Sequence, residues 1–213
     1  MHINMQIIDL SYVEKCLGML VASFGLRIPF VPETAAEFFY CRQYGRCIRE
    51  IKRHFGIGLT LRVQHIHDQR PGIWFPRDFP IDNLLISRFY DEMREPALVS
   101  TNNSLRLFGT KAFDDSKLML YLHPRVKEGS FEQFAFVIGH QMAHILLHAT
   151  FHPLRRSEVA TDLLAMVMGL HAIIRGANIQ SSGKIGYLHE EVCSFAFSVL
   201  SKRLGEKTIV VDD

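Results

Sequence analysis

Two histidines four residues apart, His140 and His144, and two acids at the same spacing, Glu158 and Asp162, are the residues whose types and arrangement suit chemistry. Four residues make about one turn of an α-helix, so each pair projects from one helical face, about 6 Å apart along the axis. Two imidazoles so placed suit one zinc ion, held at about 2.0–2.1 Å from each nitrogen. A catalytic zinc takes three protein ligands and leaves one position open. Glu158 is the natural third ligand, because the loop at Pro153 lets the chain reverse and a second helix pack beside the first. Asp162, one turn further on the same face, is placed to accept the outer N–H of a ligand histidine and fix its tautomer. A lone histidine in an apolar helix is usually a core residue bonded to backbone. Four such residues arranged around a turn between two helices are much harder to obtain by chance.

Those residues need two helices and a turn to position them. Ser130 and Gln133 have capping-box spacing, which predicts a helix from about Phe131 to Ala149. Apolar residues surround that helix on most sides, so it belongs in the core. After the His152-Pro153 loop, Ser157 is a plausible N-cap for the helix carrying Glu158. Upstream, Leu118–His123 reads as a strand ended by Pro124.

Further toward the N-terminus, Ser11 and Glu14 predict a first helix from about Tyr12 to Phe24, stopped by Gly25. A second helix is expected from about Glu33 to Phe55, on the stripe Cys41, Tyr44, Ile48, Ile51 and Phe55. Leu59, Leu61 and Val63 alternate with polar residues, as in a half-buried strand. Residues 67–83, which hold the only tryptophan, Trp74, read as an irregular loop, followed by a short helix over Leu84–Arg94. Pro96–Thr101 and Leu105–Phe108 look like two strands joined around Asn102-Asn103. A last helix is expected over Tyr187–Leu204, before a tail from Lys207 to Asp213. The order is that of an α+β fold: helices, a small mixed sheet, then helices. It reads as one domain over 1–213, with an N-terminal helical and strand part (1–116) and a zinc-site part (117–213).

Composition narrows the function. With 48% hydrophobic and 22% charged residues and no low-complexity tract, the chain is an ordinary globular one, long enough for a substantial core. A formal charge of +2 with acids and bases interspersed offers no phosphate track, so no nucleic-acid partner is expected. The clusters Arg49–His54 and Arg155-Arg156 read as solvated faces. Cys16, Cys41, Cys47 and Cys193 form no CxxC pair, and the last three lie in apolar helical patterns that suggest buried thiols in a reducing compartment. The apolar run Cys16–Phe24 is too short for a membrane span and lacks the features of a signal peptide. A cytoplasmic location is the expectation.

The stretch His140-Gln141-Met142-Ala143-His144, followed by Glu158-x-x-x-Asp162, resembles the gluzincin metallopeptidases, in which HExxH precedes an ExxxD helix. The ImmA/IrrE-like branch is the most similar: a strand ending near a proline leads to an HExxHxxxH helix, matched here by Leu118–Pro124, His140 and His144, with His148 completing the extended spacing. The membrane-embedded peptidase branch shares the Glu158/Asp162 spacing but carries spans that this chain lacks. The resemblance covers residues 117–170, and residues 1–116 carry none. It implies a zincin-like fold, with a small mixed sheet packed on the active-site helix and C-terminal helices. It also implies one zinc ion per chain on His140, His144 and Glu158, and a specific protein or peptide substrate, such as a repressor or defence-related target, cleaved as by an endopeptidase.

One position departs from that pattern. Where the family has the glutamate that takes a proton from the attacking water and passes it to the leaving amine, this chain has Gln141. An amide cannot accept that proton. Zinc binding should survive, because glutamine is nearly isosteric and this position is not a ligand. The chain is therefore expected to be a base-dead peptidase, either an engineered Glu-to-Gln form or a natural zinc-binding pseudopeptidase acting as a regulatory module. Retention of both ligands and the outer carboxylate favours the first.

Other residues carry weaker expectations. His148 reads as supporting the site without ligating, and His152, before Pro153, as facing solvent. Tyr187 and His189, at the start of the last helix, are candidates for stabilising the oxyanion, with Tyr121 behind them. Glu190 and Glu191 are alternative third ligands that lack the spacing context of Glu158. The strand Leu118–His123 is expected to offer its edge to an extended peptide.

Overall fold

The computed structural model describes residues 9–65, 97–99, 105–122, 124–180 and 188–209. The expected loop around Trp74, the helix Leu84–Arg94, the turn at Asn102-Asn103 and Tyr187 lie outside these residues. The architecture is a helix-rich mixture with one small sheet, organised as two compact units: Pro32–His152, and Met1–Val31 together with Pro153–Asp213.

In the Pro32–His152 unit, the helix expected over Glu33–Phe55 is two helices, α1 (Glu33–Tyr40) and α2 (Tyr44–His54). Arg42 adopts a left-handed φ of 58°, and the N–H groups of Arg42 and Gln43 donate to the carbonyls of Phe39 and Phe38, closing α1. The break lets Phe39 and Tyr44 meet edge to face with centroids 5.6 Å apart, while both rings contact Phe134 at 5.1 and 5.7 Å. Aromatic packing on the long helix overrides a periodicity that runs through the break. Cys41, expected to be buried, is exposed there, and Cys47 takes a place in the core.

Strands β1 (Thr60–His65), β2 (Ala97–Val99) and β3 (Lys117–Leu122) form a mixed sheet in the order β1-β3-β2. β1 runs parallel to β3, from Thr60 opposite Lys117 to His65 opposite Leu122, and β2 runs antiparallel, with Ala97 opposite Leu122. This corrects the expectation of a docking edge at Leu118–His123. β3 is the central strand: β1 pairs along its whole length, and β2 covers Leu120–Leu122 on the other side. Its apolar run Leu118, Leu120 and Leu122 is buried, as suits a strand inside a sheet.

Leu105–Phe108 is not a strand. The Phe108 N–H donates to Ala149 O at 3.0 Å, and Thr110 then caps a short helix, α3 (Lys111–Asp114). The long helix α4 (Phe131–Ala149) has the expected bounds and both halves of its capping box: the Gln133 N–H donates to Ser130 Oγ, and the Ser130 N–H to Gln133 Oε1. Fourteen of its nineteen residues are buried, so packing rather than helix propensity holds it. It packs on α1, α2 and β2. Full burial of Phe134 alone contributes ~2–3 kcal/mol.

In the other unit, α5 (Leu10–Phe24) is capped by Asp9, two residues before the expected Ser11. The Asp9 carboxylate accepts from both the Ser11 N–H (2.9 Å) and the Ser11 hydroxyl (2.8 Å), which draws Ser11 into the first turn. Gly25 ends the helix at a φ of 71°, a conformation that glycine adopts without steric cost. Helix α6 (Glu158–Ala165) leads through a wider turn, Met166–Leu170, into α7 (His171–Gln180). Gly169, at a φ of 99°, interrupts the helical ladder. The carbonyls of Val167 and Gly169 accept the N–H groups of Arg27 and Phe30 at 3.1 and 2.9 Å, so the segment after α5 satisfies backbone groups in the interrupted region. The last helix, α8, spans Glu190–Ile209. Val13, Cys16, Leu17 and Leu20 are the buried face of α5, which packs on α6 and α8. None of the four cysteines forms a disulfide. Among the described residues, no helix is long and apolar enough to cross a membrane.

His171 opens α7 almost fully buried beside Phe197, with ring centroids 5.7 Å apart and its Nδ1 without a hydrogen-bond partner. Burial lowers its pKa against a smaller upward pull from the Met166 backbone. The unfolded chain therefore takes up this proton near the ordinary value of 6.5 while the folded chain resists it. The stabilising contribution is complete above that pH and is lost as pH falls toward the lower folded pKa. His171→Leu should flatten the acid limb of stability between pH 7.5 and 5.5, by on the order of 1 kcal/mol. Denaturant titrations at the two pH values measure this, and an unchanged difference between them would refute it.

Candidate metal centre

The site begins in the second half of α4. Because that helix is buried on most sides, its polar residues are forced into the interior, and their spacing alone sets their mutual geometry. His140 is 6% exposed and His144 is half-buried. Their Nε2 atoms stand 3.0 Å apart, with ring centroids at 4.6 Å and planes at 81°. Two ligands at ~2.05 Å from a tetrahedral zinc stand about 3.3 Å apart, so the pair needs only a small adjustment to share one ion.

From Ala149 the chain turns tightly. The N–H groups of Thr150, Phe151 and His152 donate to the carbonyls of Leu146, His148 and Leu147, and Phe151 takes a positive φ of 51°. Ser157 then starts α6 as expected: its extended backbone stops the loop, and its Oγ accepts the Ala160 N–H at 3.2 Å. Glu158 is the next residue. One ligand atom from each of His140, His144 and Glu158 lies within 4.8 Å of the others, and this is the metal-compatible group among the described residues. Two imidazoles and one carboxylate are a donor set that zinc accepts, and divalent iron and manganese also take nitrogen and oxygen ligands.

Asp162 is one turn along α6 from Glu158 and completely buried. A buried carboxylate needs a bonded partner to be tolerated, which is consistent with a supporting role. Gln141 is also buried, at 2% exposure, next to His140. His148 is outside the group of three, its ring 6.3 Å from that of His144. His152 corrects an expectation: it is 5% exposed rather than facing solvent, and burial lowers its pKa. Its N–H closes the turn onto Leu147 O, which draws the side chain inward.

The remaining candidates fall elsewhere. His189 precedes α8, half-buried, and its carbonyl accepts the Cys193 N–H. Glu190 and Glu191 are exposed in the first turn of α8 and do not join the metal-compatible group. Tyr121 is buried in the central strand. A residue that sequence reasoning missed is Tyr12, whose hydroxyl lies 3.4 Å from Ser157 Oγ. The two are 145 positions apart in the chain, so no local pattern could have joined them.

Comparison with known proteins finds no matching family model, no matching curated protein and no matching solved structure.

Proposed function

We propose that this chain is a zinc-dependent endopeptidase of gluzincin type, in a form without its general base. The observation that carries the reading is the convergence of His140, His144 and Glu158, ligand atoms within 4.8 Å, on two capped helices joined by a tight turn. Bound there, zinc supplies Lewis-acid polarisation of a peptide carbonyl and activation of water. The imidazoles of His140 and His144 and the carboxylate of Glu158 hold the ion. Asp162 orients a ligand imidazole by accepting its outer N–H. Position 141 sits where a carboxylate would take the proton of the attacking water and deliver it to the leaving amine. The glutamine amide can hold that water but cannot take its proton. The substrate, on the resemblance to the ImmA/IrrE-like branch, is a specific cytoplasmic protein.

The buried Gln141 favours a second reading, a non-catalytic zinc-binding module that captures a peptide without cutting it. Both readings require the metal. Elemental analysis of protein purified without a metal-affinity tag should find about one zinc per chain. No stoichiometric metal after zinc loading and desalting would overturn both and leave a histidine pair in an ordinary helical core.

A further inference from the structure

We infer that Tyr12 is a positioning residue for the metal ligand Glu158, acting through the cap residue Ser157. The inference rests on the reading of His140, His144 and Glu158 as ligands of one ion.

Ser157 organises the first turn of α6 in two ways. Its Oγ accepts the Ala160 N–H, and its carbonyl accepts both the N–H and the hydroxyl of Thr161, at 3.0 and 3.1 Å. A serine hydroxyl has one proton and two acceptor sites, so after the Ala160 contact it can make a second bond that helps hold Oγ in its capping position. The Tyr12 phenol lies at that position, 3.4 Å away. Tyr12 is itself held by α5, whose face Val13, Cys16, Leu17 and Leu20 is fully buried and which packs along α6.

Glu158 follows the cap directly, so the direction of its carboxylate depends on whether the first turn is formed or frayed. The bonds that close that turn all start from Ser157, because its Oγ takes the Ala160 N–H and its carbonyl takes Thr161. Tyr12 is 41% exposed, so removing its hydroxyl empties no core. What the hydroxyl contributes is orientation, passed from α5 to Ser157 and from Ser157 to the third ligand. This gives residues near the N-terminus a role in metal binding without placing them on the ion.

The test is cobalt titration of the metal-free full chain, followed by its visible absorption bands, for the parent, Tyr12→Phe, Ser157→Ala and the double variant. Thermal unfolding of each metal-free protein is recorded alongside. Tyr12→Phe should weaken cobalt binding on the order of tenfold, the lower end of what partners of ligands contribute, and change the band intensities. The metal-free midpoint should stay close to the parent's. Ser157→Ala should weaken binding at least as much, and adding Tyr12→Phe to it should cost nothing further. Parental affinity and spectrum in Tyr12→Phe would overturn the inference and leave the ligand set standing. So would a full loss that persists in the Ser157→Ala background, or one matched by lost metal-free stability. A parent that binds no cobalt would overturn the ligand set and this inference with it.

Discussion

Gln141→Glu in the zinc-loaded protein is expected to raise peptide-bond hydrolysis by about 10²–10⁴-fold, the usual contribution of a general base. On the proposed reading the effect is large because the residue acts on the proton and not on the metal. Position 141 lies outside the His140, His144 and Glu158 group, so metal content should be the same in the two proteins. The substitution changes an amide to a carboxylate of almost equal volume at a site only 2% exposed, so little repacking follows. Burial raises the pKa of the new carboxyl, while an adjacent cation lowers it, and a base poised near neutrality is what proton transfer from water needs. The measurement is mass spectrometry of new chain termini after incubation with a mixture of cytoplasmic proteins, comparing both forms with and without a chelator. Chelator-sensitive cleavage confined to Gln141→Glu supports the peptidase. Zinc-loaded but silent protein in both forms favours the binding module.

His144→Ala should weaken metal binding sharply, and His140→Ala should do the same. Structural zinc sites in peptides are worth ~10–16 kcal/mol in all, so one ligand of three carries about 3–5 kcal/mol, a loss of ~10²–10⁴-fold in affinity. His148→Ala, outside the group, should leave affinity within a few-fold of the parent. Because the metal binds the folded chain, zinc should raise the thermal midpoint of the parent, a chelator should reverse the shift, and neither should move it in His144→Ala. Isothermal titration and thermal scans on the same preparations separate these outcomes. Full binding in His144→Ala would remove this histidine from the ligand set. Loss in all three variants would instead point to damage to α4.

How legible each part was depended on how local its cause is. The start of α4 was readable because Ser130 and Gln133 act within one turn of it. The cap of α6 was readable for the same reason, since Ser157 bonds the N–H three residues on. The misread elements had distant causes. The break between α1 and α2 follows from Phe39 and Tyr44 packing on Phe134, some ninety positions away. Leu105–Phe108 had the pattern of a strand, but the Phe108 N–H goes to the end of α4 instead of to a sheet. The first cap shifted from Ser11 to Asp9, because a carboxylate with two acceptor oxygens captures both the N–H and the hydroxyl of the serine.

Sequence by itself determined the chemistry on offer: two imidazoles one helical turn apart, a carboxylate pair at the same interval, and an amide beside the first imidazole. Those facts follow from residue identity and helix pitch, which do not depend on the rest of the chain. Tertiary structure decided that Glu158 rather than Glu190 or Glu191 joins the histidines, that the strand read as an edge lies in the middle of the sheet, and that Tyr12 meets the cap beside Glu158. Each depends on contacts between segments far apart in sequence, where packing against a shared core outweighs any local preference.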